Sequence, residues 1–147
     1  DQWEEIKKAE KPDTEATTSA VDGVPRHLPA LHRAQKIQGK AAKAGFEWRT
    51  TDGFLDKIDE ELEEVKEAVR LGSASELKEE IGDLLFTIAN LARHCGFQAE
   101  ELLHGTVRKF DARFRAMEET LGESQIRLED ATEEQLVEHW NHTKPKR

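Results

Sequence analysis

Glu60-Glu61-Leu62-Glu63-Glu64 and Glu79-Glu80-Ile81-Gly82-Asp83, joined through the turn-forming Gly72-Ser73-Ala74-Ser75, are the stretch whose reading decides the fold. Before and through the first block, Leu55, Ile58, Leu62, Val65 and Val69 recur at steps of three and four, the stripe of an amphipathic helix expected to be buried. At about 100° per residue, Glu61 and Glu64 share one flank of that stripe with Lys57 and Ala68, while Glu60, Glu63 and Glu67 point elsewhere. The second block opens a helix that is apolar on nearly every side. Leu77, Ile81, Leu84, Leu85, Ile88, Leu91 and Ala92 make its main face, and Phe86 and Ala89 lie roughly opposite, so burial on several sides is expected. One strip of it nevertheless carries Glu80, Asp83, Thr87 and Asn90. The connecting turn is short enough to make the two helices antiparallel neighbours.

Two i, i+3 acidic pairs on facing helices need compensation. An ionised carboxylate left unpaired in an interior costs several kcal/mol, so such groups pair or bind a metal. Glu61, Glu64, Glu80 and Asp83 are therefore candidate ligands of a divalent cation. A donor set made wholly of oxygen favours Mg²⁺, with Mn²⁺ as a substitute, over zinc. A di-iron bundle needs two Glu-x-x-His pairs on separate helices, and only Glu101–His104 has that spacing. No Gly-rich phosphate loop is present, so a bound phosphate must be held through metal and Lys/Arg.

The composition narrows the partners. The chain has 147 residues, enough for one compact domain with tails, and its 31 acidic against 22 basic side chains give a net charge of −9. Such a surface repels nucleic-acid backbones, so no nucleic-acid partner is expected, while a cation-filled acidic site still attracts a nucleotide polyphosphate. No segment is apolar for the ~20 residues a membrane span requires, so no membrane partner is expected. The single Cys95, set among Leu91, Ala92 and Phe97, reads as a core residue of a cytoplasmic protein.

Along the chain, residues 2–8 read as a short helix and 11–23 as a polar linker. Trp3 and Lys7 share the spacing of Trp140 and Lys144, a weak internal repeat. A first core helix is expected from Leu28 to about Ala44, with a basic outer face of His32, Arg33, Lys36, Lys40 and Lys43 and with Gly45 as its cap. The aromatic loop Phe46-Glu47-Trp48 follows. Leu102, Leu103, Val107, Phe110, Phe114, Met117 and Leu121 define a fourth helix ending at Gly122, and Lys109 and Arg113 lie on one face of it, four residues apart. Thr132-Glu133-Glu134-Gln135 reads as a capping box before a last short helix.

Leu28-Pro29-Ala30-Leu31-His32-Arg33-Ala34-Gln35-Lys36-Ile37-Gln38, the Gly45-Phe46-Glu47-Trp48 loop and Glu79-Glu80-Ile81-Gly82-Asp83-Leu84-Leu85-Phe86 with Asn90-Leu91-Ala92-Arg93-His94 together resemble the MazG family. The resemblance runs over about 25–144. It implies hydrolysis of nucleoside triphosphates to monophosphate and pyrophosphate. It places Mg²⁺ ligands at Glu61, Glu64, Glu80 and Asp83, the residues that helical phase also selects. It further implies substrate or phosphate roles for Lys109, Arg113, Trp140 and Lys144, with Asn90 and Lys57 as polar contacts beside the acidic strip. The expected fold is all-α, a four-helix antiparallel core plus a short C-terminal helix, and the resemblance adds a homodimer that completes the bundle. Residues 1–24 would then be a helix and linker left from a preceding repeat, 25–144 the catalytic domain and 145–147 a basic tail. Two alternatives stand beside this: a non-catalytic helical interaction or regulatory module whose acidic strips are solvated or paired with Lys109 and Arg113, and a relative restricted to dCTP or dUTP.

Overall fold

The computed structural model describes residues 18–145. The helix expected over 2–8, with Trp3 and Lys7 of the repeat, lies outside the described residues, as do 146–147. Within them the chain is helical, without strands: α1 Ala30–Lys43, α2 Thr51–Leu71, α3 Ala74–His94, α4 Ala99–Glu123, a 3-10 turn Leu128–Asp130 and α5 Glu133–Asn141. This is the expected order of four long helices and a short fifth.

The helix ends follow from local chemistry. Pro29 stands immediately before α1, its φ of −51° already close to helical. At the far end Gly45 takes φ 103°, letting Gly45 N donate to Ala42 O at 2.9 Å and Phe46 N to Ala41 O at 2.9 Å. Gly72, at φ 68°, closes α2, and Ser73 Oγ then accepts from Glu76 N at 3.3 Å to start α3. That tight link makes α2 and α3 an antiparallel hairpin packed along its length. Gly122 does not end α4 as expected. The helix continues to Glu123, and the reversal falls on Gln125 at φ 58°, with Ile126 N donating to Leu121 O at 2.9 Å. At Thr132 the capping box is complete: its hydroxyl accepts from Gln135 N at 3.2 Å, and Gln135 Oε1 accepts from Thr132 N at 2.9 Å.

Packing differs from the expected burial. The face of α2 that meets the rest of the chain carries Phe54, Glu61 and Ala68, all buried, whereas Leu55, Leu62 and Val69 are exposed. On α3 the buried residues are Thr87 and Ala89, and Ile81, Leu85, Phe86 and Ile88 are exposed. Small side chains such as Ala68 and Ala89 let helices approach closely, so the hairpin closes on its acidic and small-residue flank and turns its large apolar side chains outward. Cys95 is likewise exposed, not in the core, because it sits at the C-cap of α3 where the chain turns. The apolar interior is small: Phe54, stacked on the His94 ring at 4.3 Å, with Ala68, Ala89, Ala99, Met117 and Leu121.

Two glutamines of α1 hold the other helices. Gln35 Nε2 donates to Ala89 O at 3.1 Å and Phe97 O at 3.0 Å, while its Oε1 accepts from Ala99 N at 3.0 Å. One amide thus ties α1 to the end of α3 and the start of α4, satisfying an orphan N–H at a helix N-terminus. Gln38, buried, donates to Phe86 O at 2.8 Å. Helix α4 as a whole touches α3 only slightly and packs on α5 and α1. No helix among the described residues is long and apolar enough to cross a membrane.

Candidate functional site

Helix α2 brings Glu61 and Glu64 to the hairpin interface, and α3 brings Glu80 against them. One carboxylate oxygen from each lies within 4.8 Å of the other two. Glu61 is only 6% exposed, Glu80 is half-buried and Glu64 is open to solvent. Oε2 of Glu61 and Oε2 of Glu80 are both buried without a hydrogen-bond partner. Burial of charged oxygens with no donor is costly, and a cation is what such a site lacks.

The electrostatics agree with that reading. The Glu80 carboxyl is pushed up from 4.5 to about 7, first by hydrogen bonding to Glu64, then by burial and by the negative charges of Glu64, Asp83 and Glu61. One cation is supplied from within α2: Lys57 Nζ lies 3.1 Å from Glu61 Oε1 and 3.3 Å from Glu60 Oε1. Hydrogen bonding to Glu61 is the first cause that raises the Lys57 pKa, so its charge is secured. Glu60 therefore joins the cluster's edge through Lys57, although helical phase had turned it away.

The other sequence-selected residues fall in distinct places. Asp83, one turn beyond Glu80, is exposed and stands outside the three-carboxylate cluster, near enough to act on Glu80 through its charge. Asn90 is about 15 Å from Glu80 along α3 at 1.5 Å per residue. Its Oδ1 accepts from Arg93 Nε at 3.0 Å, and Arg93 Nη2 reaches Glu47 Oε1 at 2.7 Å. Lys109 and Lys144 are exposed. Among the described residues no ion pair joins Lys109 or Arg113 to the acidic cluster, so pairing with them is not what neutralises it there.

Arg113 is held by α5. Its guanidinium lies 3.9 Å from the centre of the Trp140 ring. Nε donates to Thr143 Oγ1 at 3.0 Å, and Nη2 approaches Trp140 O at 3.5 Å. Phe110 stands 5.6 Å from the Trp140 ring and 5.8 Å from Phe114, so aromatic packing fixes the platform. Sequence reasoning selected Arg113 and Trp140 but missed Thr143. The legible signal was its position three residues after Trp140, where a hydroxyl can reach back to a helix-terminal carbonyl.

Against known proteins, residues 49–117 match the MazG nucleotide pyrophosphohydrolase domain. The chain is 42% identical over 144 residues to a nucleoside triphosphate pyrophosphohydrolase of Escherichia coli strain K12, covering 97% of this chain and 54% of that protein. It is 41% identical over 143 residues to the nucleoside triphosphate pyrophosphohydrolase/pyrophosphatase MazG of Thermotoga maritima, again 97% of this chain and 54% of the relative. A Bacillus subtilis protein named uncharacterized protein YabN is 42% identical over 144 residues, which is 29% of its length. The chain thus spans about half the length of the first two relatives.

Proposed function

We propose that this chain, whose residues 49–117 match the MazG nucleotide pyrophosphohydrolase domain, is a member of that family and hydrolyses nucleoside triphosphates between the α- and β-phosphates, releasing monophosphate and pyrophosphate with a divalent cation at its acidic cluster. The observation that carries this reading is the pair of buried, unpartnered oxygens, Glu61 Oε2 and Glu80 Oε2, set within reach of Glu64. Three converging carboxylates, two of them with a buried oxygen that no donor reaches, fit an oxygen-coordinated ion, Mg²⁺ first and Mn²⁺ as a substitute. Asp83 is the fourth ligand in this proposal. Such a cation, when bound, supplies Lewis-acid polarisation of phosphoryl oxygens and lowers the pKa of water.

The chain's own residues divide the remaining work. Glu61, Glu64 and Glu80 would hold the ion, with Glu80 binding it in the deprotonated form. Lys57 holds Glu61 in place and limits the net charge of the cluster. Arg113, preorganised over Trp140, and Lys109 one turn before it present positive charge to the phosphates in the transition state. Lys144 and Asn90 contact the substrate farther out.

The outward apolar faces, Leu55, Leu62 and Val69 on α2 with Ile81, Leu85 and Ile88 on α3, are the surface on which we propose that a second copy docks. The direct test of the activity is pyrophosphate release across common and modified NTPs and dNTPs with Mg²⁺ or Mn²⁺. Release from several nucleotides supports the proposal, release from dCTP or dUTP alone marks a base-restricted enzyme, and no release from any of them with either ion would overturn it.

A further inference from the structure

We propose that Thr143 is a positioning residue for the reaction, one that fixes which edge of the Arg113 guanidinium faces the phosphates. The proposal rests on the reading of Arg113 as a substrate-facing cation. An arginine side chain is long and rotamer-rich, and stacking on a ring leaves the guanidinium free to turn in its own plane. Thr143 removes that freedom. Its hydroxyl donates to Trp140 O at 2.6 Å, which sets the direction of its proton and leaves a lone pair facing Arg113 Nε at 3.0 Å. Nη2 approaches the same Trp140 carbonyl at 3.5 Å.

The Nε/Nη2 edge is therefore turned toward the α5 terminus. Among the described residues nothing bonds Nη1, so the Nη1/Nη2 edge is the one left to grip two phosphate oxygens together. The hydroxyl serves both ends of this chain at once, accepting from Nε and donating to a carbonyl. A valine of equal shape loses both bonds, whereas serine keeps both. Because a phosphate-gripping arginine acts most where charge develops, misorientation lowers kcat more than it raises KM.

The experiment compares pyrophosphate release by Thr143→Val, Thr143→Ser, Arg113→Ala and the Thr143→Val/Arg113→Ala pair, with melting temperatures for each. The expected result is a loss of roughly ten- to a hundred-fold in kcat for the valine variant, with KM within about twofold. Serine restores the rate, and the valine change adds no further loss once Arg113 is alanine. A costly Arg113→Ala beside a Thr143→Val of wild-type rate overturns the proposal and leaves the role of Arg113 standing. A harmless Arg113→Ala overturns both. If the valine variant melts early, the double-variant comparison decides, because a loss that adds to that of Arg113→Ala overturns the positioning role.

Discussion

Glu64 and Glu80 stand on opposite helices of one hairpin with carboxylate oxygens within 4.8 Å of each other, and hydrogen bonding between them is the first cause that moves Glu80 to about 7. Two carboxyl groups this close hold a proton rather than both ionising. With the folded pKa above the unfolded value of 4.5, the folded chain binds more protons than the unfolded chain between about 4.5 and about 7. Glu80 therefore stabilises the metal-free fold least above that window, and its contribution declines as pH rises through it.

A pH series in chelator reads this out. Relative to Glu80→Gln, which keeps a neutral hydrogen-bonding group at every pH, the wild-type melting temperature should fall between about pH 5 and about pH 8. Divalent-ion affinity, measured by calorimetry, should move the opposite way and weaken below about pH 7, because the ion must displace the Glu80 proton. A difference in melting temperature that stays constant across the window would contradict the shared proton.

Glu80→Gln should also separate stability from chemistry. Removing a charge from a cluster of like charges leaves the metal-free fold as stable as wild type above pH 7 or more so. Pyrophosphate release should nonetheless drop by about a hundredfold or more, the scale seen when a preorganised electrostatic group is lost. Steady-state assays beside thermal melts check both halves.

Core and outward apolar positions should respond differently. Phe54, 1% exposed and stacked on His94, is the anchor between α2 and the end of α3. Phe54→Ala should cost about 3–5 kcal/mol in denaturant unfolding. Leu85 is 55% exposed on the single chain. In the proposed dimer, Leu85→Glu should shift sedimentation toward the monomer, and an unchanged sedimentation profile would remove Leu85 from the interface.

Thr132→Ala should destabilise α5 by about 1 kcal/mol, since it removes the acceptor half of a complete capping box. Because α5 carries Trp140, hydrogen exchange over Glu133–Asn141 should quicken more than exchange in α2 or α3.

Much of this architecture is written in local signals. Gly72 followed by Ser73, Thr132 followed by Gln135, and steps of three and four in the apolar residues fix where helices start and stop, and the MazG resemblance agrees with them. The inward face was harder to read. A stripe such as Leu55–Leu62–Val69 declares that something covers it but not whether this chain or another does, and within the single chain it lies exposed. Glu61 was legible because phase on one helix and a facing block on the next are both sequence patterns. Thr143 was legible only in its local bond to Trp140 O three residues back, because its contact with Arg113 depends on where α5 lands against α4, a tertiary relationship that no short spacing encodes.

The three bonds of Gln35 give α4 the mechanics of a lever. That amide grips Phe97 O and Ala99 N where the helix begins, and α4 as a whole has only slight contact with α3. Arg113 lies fourteen residues from Ala99, about 21 Å out along the arm. A swing of about five degrees at the fulcrum carries its guanidinium through about 2 Å, more than the tolerance of a phosphate contact. Part of what sets the position of Arg113 thus lies not beside it but at the far end of its helix, in one uncharged side chain of α1.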